Sequence, residues 1–514
     1  MIIADTISPP DRRRNWTPQV AALAAIALGT YAAWFYARAG LTLSHYDAKA
    51  HLVVSRRVVD SLTPGWIQLG AVWLPLPHLL NLIPVQVDAL YRTGAFAVAI
   101  SILSFGVIAY ACATLILAAT GSRAAVVAGL SVLVLNPDLL YLQATPMTEP
   151  LLLALTTLSL AALARWVDQD GTRGLTGVGL LMAAACLTRY EAWPLTAGAL
   201  VVAVAALCRR GVPVGVAVRR TAGLAAYPVI AIAAFMLQSR LSIGHWFVTG
   251  GFYVADNPDM GRPFKTLGSI WWASHHLNGY GVLLCAMAGA AAALLSGIRD
   301  RRQAHSLVAL ALAASAVLPW YAFYIGHPFR FRYMVPLVPA FAVWAGIGVG
   351  LTRRFRILAA AALVALVLFE TRPFDGAAPM VQEAQLDRQH SLQRRVLTDV
   401  LRQHWRHEKI LVSLGSLSHY VQELSPIGVH VRDIVHEGNG DLWAAALDAP
   451  RFHVGWILMD ELSEGGDVLA ERAREYPEFL RGFTRMGEGG GVVLYRRAEE
   501  PAAIPPPGSP SPGS

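Results

Sequence analysis

Four polar segments interrupt an otherwise apolar chain, and their residue types suit proton transfer and anion binding. The first is Ser44-His45-Tyr46-Asp47-Ala48-Lys49-Ala50-His51. A helix over 46–60 puts Asp47 and His51 one turn apart on one face, with Lys49 turned elsewhere. A carboxylate beside an imidazole suits general-base work on a hydroxyl or amine; the plain alternative is a solvated loop helix. The second segment leads to Thr148-Glu149-Pro150. Glu149 opens a helix there, with Thr148 as N-cap and Pro150 near the first position. The helix dipole stabilises such a Glu; the functional reading is a second active-site acid facing Asp47. Asp138 is a weaker candidate of the same kind. The third, Leu187-Thr188-Arg189-Tyr190-Glu191, sets Arg189 and Glu191 between two apolar runs, either as a corner ion pair or as substrate contacts. The fourth is Arg330-Phe331-Arg332-Tyr333-Met334-Val335-Pro336-Leu337-Val338-Pro339. Guanidinium groups grip phosphate oxygens through paired N–H donors, so Arg330 and Arg332 suit a lipid phosphate; the alternative is snorkelling to headgroups. A loop holding His245, Tyr253, Asp256, Lys265, His275 and His276 could cover these segments, but nothing in it specifies a role. The histidines show no metal-ligand spacing, and no catalytic metal is expected.

The elements that must position these residues are membrane spans. Of 514 residues, 55% are apolar and 15% charged, with a mean hydropathy of +0.45. Soluble domains carry about 25% charged residues. The composition therefore excludes an ordinary cytosolic enzyme, a disordered regulator and a nucleic-acid-binding module. It points to a polytopic membrane protein. The four cysteines lie in or beside apolar runs and read as inert thiols. Spans are expected at 17–37, 94–119, 124–142, 149–164, 174–188, 192–208, 221–240, 277–298, 304–325, 333–352 and 356–370, eleven in all. With Arg12, Arg13 and Arg14 inside, every Arg-rich turn falls on the cytoplasmic side: Arg123, Arg165 with Arg173, Arg209 to Arg220, Arg299 to Arg302, and Arg353 to Arg356. The net charge of +8 is thereby assigned to cytoplasmic loops. The outer face of the plasma (inner) membrane then receives 38–93, 136–149, 241–276 and 326–332, plus 188–191 at an outer helix end, together with the chain after 371.

The expected organisation is a cytoplasmic 1–16, a transmembrane module over 17–371 with its long first outer loop 38–93, a small extracytoplasmic α/β domain over 372–500, and a disordered Pro/Gly/Ser-rich tail over 501–514. Within the domain, strands are expected at 410–414, 454–459 and 491–495 and helices at 416–424 and 467–475.

The order of motifs is familiar: an acid just after the first span, Thr-Glu-Pro opening a later helix, Leu-Thr-Arg-Tyr-Glu, and Arg-Phe-Arg-Tyr-x-x-Pro-Leu-x-Pro. Over residues 15–350 it resembles the GT-C superfamily of polytopic glycosyltransferases, within it the protein O-mannosyltransferase and lipid A aminoarabinose transferase-like branch. That resemblance implies a GT-C-like α-helical membrane fold and transfer of a sugar from a polyprenyl-phosphate donor, with inversion, to an acceptor lipid, glycan or protein of the cell envelope. It implies no cofactor beyond the lipid-linked donor substrate, and membrane lipids rather than nucleic acid as surroundings. By position, Asp47 resembles the first-loop acid that acts as base, Glu149 a second acid near the sugar, and Arg330 or Arg332 the cation on the carrier phosphate. Lys49, His51, Arg189, Glu191 and Tyr333 would line the substrate. The common Asp-Glu pair is replaced by Asp47-Ala48, which leaves the acceptor class open. A transporter or flippase of an anionic polyprenyl lipid is the alternative; it would call for broken helices near mid-bilayer and an internal repeat, and neither is visible.

Overall fold

The computed structural model describes residues 15–246, 257–463 and 466–498. The expected N-terminal arginines, the tail over 501–514, and Tyr253 and Asp256 lie outside the described residues. Among the described residues, eight helices are long and apolar enough to cross a membrane. They are Thr17–Arg38, Ala95–Thr120, Glu149–Asp168, Ala192–Arg210, Val214–Ile243, Tyr280–Arg299, Arg301–Tyr324 and Phe331–Leu351. Phe331–Leu351 is the most enclosed of them, and small residues let its neighbours approach. A Cβ on Gly129 would fall 2.6 Å from the Ala342 carbonyl oxygen, so Arg123–Val134 packs backbone to backbone against it.

Three expected spans are shorter than that length. Leu175–Cys186 has 12 residues and Arg356–Glu370 has 15. The run at 124–142 is two helices, Arg123–Val134 and Pro137–Leu142. Asn136 is the cause. Its side chain caps the second helix by accepting from Leu139 N–H at 3.0 Å and donates to the Leu277 carbonyl at 2.7 Å. Pro137 then has no N–H to continue the first helix.

The Arg-rich turns gather at one end of the helices. Arg210 pairs with Asp168 at 3.1 Å and Asp170 at 2.7 Å, His305 lies 3.3 Å from Asp168, and Arg209 donates to the Arg299 carbonyl at 3.1 Å. Glu149 and Asp168 bound one 20-residue helix, so Glu149 stands about 30 Å away at the other end.

At that other end the long first loop folds into helices, of which Tyr46–Arg57 (α1) and Leu76–Asn81 (α2) matter most here. Every residue of α1 from Asp47 to Arg56 is buried, so it is not a solvated loop helix. Its cover is the C-terminal region. Pro379–His404 (α3) leads into strand Ile410–Val412 (β1), helix Leu414–Leu424 (α4) and strands Ile434–Val435 (β2), Trp456–Asp460 (β3), Phe483–Gly489 (β4) and Val492–Arg497 (β5). The sheet order is β2-β1-β3-β5-β4, parallel across β2-β1-β3 and antiparallel beyond. The three expected strands and two expected helices are present with shifted ends; α3, β2 and β4 were not anticipated. Leu397 and Leu401 of α3, Leu417 and Leu424 of α4, and Trp456 and Leu494 of the sheet form one hydrophobic cluster with Leu52 and Val53 of α1 and with Val85 and Tyr91. The first loop and the C-terminal region thus share a core.

Candidate functional site

The site begins at the N-terminus of α1. His45 is the N-cap, and its Nδ1 accepts the Asp47 N–H at 3.2 Å. The cap sets Asp47 in the first turn, where the unpaired N–H groups favour a carboxylate. Asp47 is 4% exposed. Arg332, at the start of Phe331–Leu351 and 8% exposed, donates to Asp47 Oδ2. Two residues 285 positions apart therefore form one buried ion pair. Arg332 is turned inward and is not a headgroup-seeking arginine. Burial by itself raises the Asp47 carboxyl, but the neighbouring cationic groups, Arg332 first and His45 after it, together hold the group well below the usual carboxylate range.

A second cluster lies beside this pair. Arg189 reaches Glu149 at 3.1 Å and Glu191 at 2.7 Å and donates to Thr148 Oγ1 at 3.0 Å. Thr148 thus serves Arg189, and makes no side-chain cap to the helix it precedes. Glu149 is fully buried, and neither carboxylate oxygen has an aligned hydrogen bond among the described residues. Burial pushes Arg189 down, yet Glu149 and Glu191 raise it on balance, against repulsion from Arg332. The two clusters are therefore electrostatically coupled.

Lys49 faces the other way. It binds Glu423 of α4 at 2.5 Å, and Glu423 also accepts from Arg394 at 2.8 Å and Ser391 at 2.8 Å. His51 sits against Trp73 with ring centres 4.2 Å apart, and its Nδ1 lies 3.1 Å from His78 Nε2. Tyr333 places its hydroxyl 3.4 Å from His327 Nε2, and its ring lies 5.5 Å from the Arg332 Cζ. Arg330 lines a groove of about 640 Å³ with Lys265, Asp259, Trp272 and Phe329. The groove has two cations and aromatic walls.

Sequence reasoning missed the contribution of α3. Glu383 lies 3.3 Å from His45 Nε2, and Asp387 accepts the Tyr46 N–H at 2.9 Å. Burial opposes ionisation of Glu383, but the His45 side chain holds its carboxyl below the usual range. The two acids stand four residues apart, and that spacing on one face of a polar amphipathic run was the available sign. Asp138, the weaker candidate, is buried and accepts the Met380 N–H at 2.8 Å; it ties α3 to the membrane helices.

No protein-family model matches the sequence, and no curated protein matches it. By structure, the chain is similar to ArnT from Cupriavidus metallidurans, whose crystal structure is of a complex with undecaprenyl phosphate. The TM-score is 0.56 at 14% identity, over 94% of this chain and 98% of that one. A looser likeness, at a TM-score of 0.45 and 12% identity, is to the Archaeoglobus fulgidus oligosaccharyltransferase crystallised in complex with zinc and sulfate; it covers 94% of this chain and 73% of that one. Both are GT-C membrane glycosyltransferases. The fold is that of a mostly helical, multi-span membrane protein with a small C-terminal mixed sheet, and it is ArnT-like.

Proposed function

We propose that this protein is an integral-membrane glycosyltransferase that moves a sugar from a polyprenyl-phosphate donor to an extracytoplasmic acceptor with inversion. The observation that carries the reading is the buried Asp47–Arg332 pair, which sets a proton acceptor against a phosphate-binding guanidinium. The ArnT-like fold supports it, because that relative was crystallised with a polyprenyl phosphate.

The topology follows from the shared core. The first loop comes after one crossing, and the C-terminal domain packs on it. The chain must therefore cross an odd number of times before residue 372. Eight crossings would place the domain on the wrong side. Counting the three shorter runs as crossings as well, with Arg123–Val134 and Pro137–Leu142 together as one, gives eleven, which is odd. The Arg-rich turns then face the cytoplasm, and the site and the domain over 372–500 face outward.

In the resting site Asp47 occupies Arg332. A donor phosphate competes for that guanidinium, with Arg330 as a second cation, and Lys265, Trp272 and Phe329 accommodate the lipid beside it. Once displaced, Asp47 is a desolvated carboxylate without its cation, and its basicity rises. It takes the proton of the acceptor group as that group attacks the anomeric carbon. The bond to phosphate breaks on the opposite face, and the arginines stabilise the charge that develops there in a low-dielectric site. A phosphate leaving group needs no proton donor. Glu149, held by Arg189, orients sugar hydroxyls. The base is therefore uncovered only when donor is bound. Incubation of the protein in proteoliposomes with radiolabelled polyprenyl-phosphate sugar and a hydroxyl-bearing acceptor tests the function: labelled acceptor and free carrier phosphate are expected together, and donor that stays intact while crossing the bilayer would replace transfer by transport.

A further inference from the structure

His51 belongs to a hydrogen-bond chain whose protons can be assigned by elimination. His78 Nδ1 lies 3.0 Å from the Leu74 carbonyl, which only accepts, so that nitrogen carries a proton. His78 is buried, and burial with the nearby Arg57 charge pushes it down to about 4. It is therefore neutral, and its Nε2 is a lone pair. His51 Nδ1, 3.1 Å away, must supply the proton between them. His51 is 5% exposed, and the groups facing it are His78 on α2, Asp47 on its own helix, and Arg189 and Arg332 from the two neighbouring segments. Burial and three of those four hold it well below the ordinary imidazole value, so it too is neutral. Its Nε2 is then a bare acceptor, and it has no hydrogen-bond partner among the described residues. A buried acceptor left in this state is costly. His51 also lines a cavity of about 20 Å³ with Ser55, Asn81 and Thr148, the last of which adjoins Glu149. Such a space holds about one water-sized group.

We propose that His51 is a hydroxyl-recognition residue and His78 the positioning residue that fixes its tautomer: Nε2 of His51, one helical turn from Asp47, takes a hydrogen bond from a neutral hydroxyl of the sugar or of the acceptor. A cationic group is disfavoured by Arg189 and Arg332, and an anion by the lone pair. The ligand class rests on the transferase reading; the tautomer does not.

The test uses full-length protein with ¹⁵N-labelled histidine in lipid nanodiscs, His51 being assigned through His51→Gln. At pH 7 the wild type should show a protonated Nδ1, an unprotonated Nε2, and a scalar coupling across the His51–His78 hydrogen bond. Farnesyl-phosphoryl-mannose and octyl glucoside then probe donor and acceptor hydroxyls, and farnesyl phosphate serves as the anion without sugar. The Nε2 resonance should move with one or both hydroxyl-bearing probes well beyond any movement that farnesyl phosphate causes by displacing Asp47 from Arg332; whichever moves it identifies the source. His78→Phe should lose the coupling and bind the active probe about fivefold more weakly. His51→Gln, whose amide oxygen can stand at the same place, should retain more affinity than His51→Phe. A protonated Nε2 in the wild type, or movement with the hydroxyl-bearing probes no larger than that with farnesyl phosphate, overturns the proposal. The first readout needs no turnover, so a protein with the expected tautomer that never transfers sugar would count against the transferase reading only.

Discussion

Replacing Asp47 by Asn should tighten donor binding while abolishing transfer. The substitution keeps the shape of the side chain and removes the charge that occupies Arg332. In the wild type an incoming phosphate must displace that carboxylate from a guanidinium that is only 8% exposed. Close, desolvated charge pairs are coupled by about 1.5 kcal/mol at the low end of measured values. Asn retains part of the hydrogen bonding, so the low end is the appropriate choice, and it corresponds to about tenfold in affinity. The assay is equilibrium binding of a fluorescent short-chain polyprenyl phosphate to both proteins at one salt concentration, beside radiolabelled transfer. The phosphate should also raise the melting temperature of the variant more than that of the wild type, because a buried charge without its partner destabilises the free protein. Affinity that is unchanged or weaker in the variant would mean that the phosphate does not sit on Arg332. Normal turnover would remove Asp47 as the base.

Three other outcomes follow from the geometry. Arg332→Lys keeps the charge but loses the planar fork, so phosphate affinity should fall about tenfold or more, read in the same binding assay. Glu149→Gln leaves Arg189 paired with Glu191; phosphate affinity should stay within about twofold, while the transfer rate drops about tenfold, the loss of one charge-assisted hydrogen bond. Burial opposes ionisation of Glu423, but Lys49 and then Arg394 hold it down to about 2. A depressed carboxylate adds stability above its unfolded value, near 4.3, and that stability is lost as pH falls toward 2; for Glu423 it is about 3 kcal/mol. Thermal unfolding followed between pH 5 and 2 should therefore steepen in the wild type relative to Glu423→Gln; parallel curves would show that the clamp on α1 contributes nothing.

The meeting of Asp47 and Arg332 was legible because charged residues are conspicuous in apolar sequence and because helix parity puts both on one side. Their direct pairing was not, since nothing local sets a contact between residues so far apart in the chain. The run at 124–142 passed as one span because a hydropathy window does not register a capping Asn followed by Pro, as at Asn136 and Pro137. Glu383 and Asp387 were missed for a different reason. In a polar helix such as α3, acids are ordinary, and only the cover it forms over α1 gives these two a special position. The role of Lys49 likewise depended on a helix wheel that could say where it does not point, but not that Glu423 would meet it.

The common hydrophobic cluster of α1 and the C-terminal sheet has a consequence for how the protein is made. Val53 leaves the ribosome long before Leu494. At ordinary translation speeds, the interval is roughly half a minute or more. Throughout it the first loop waits beside the membrane without its packing partners, and α1 cannot take its final place. The shared core is thus complete only once β5 has emerged, and a chain that stops short of it leaves α1 without part of its cover.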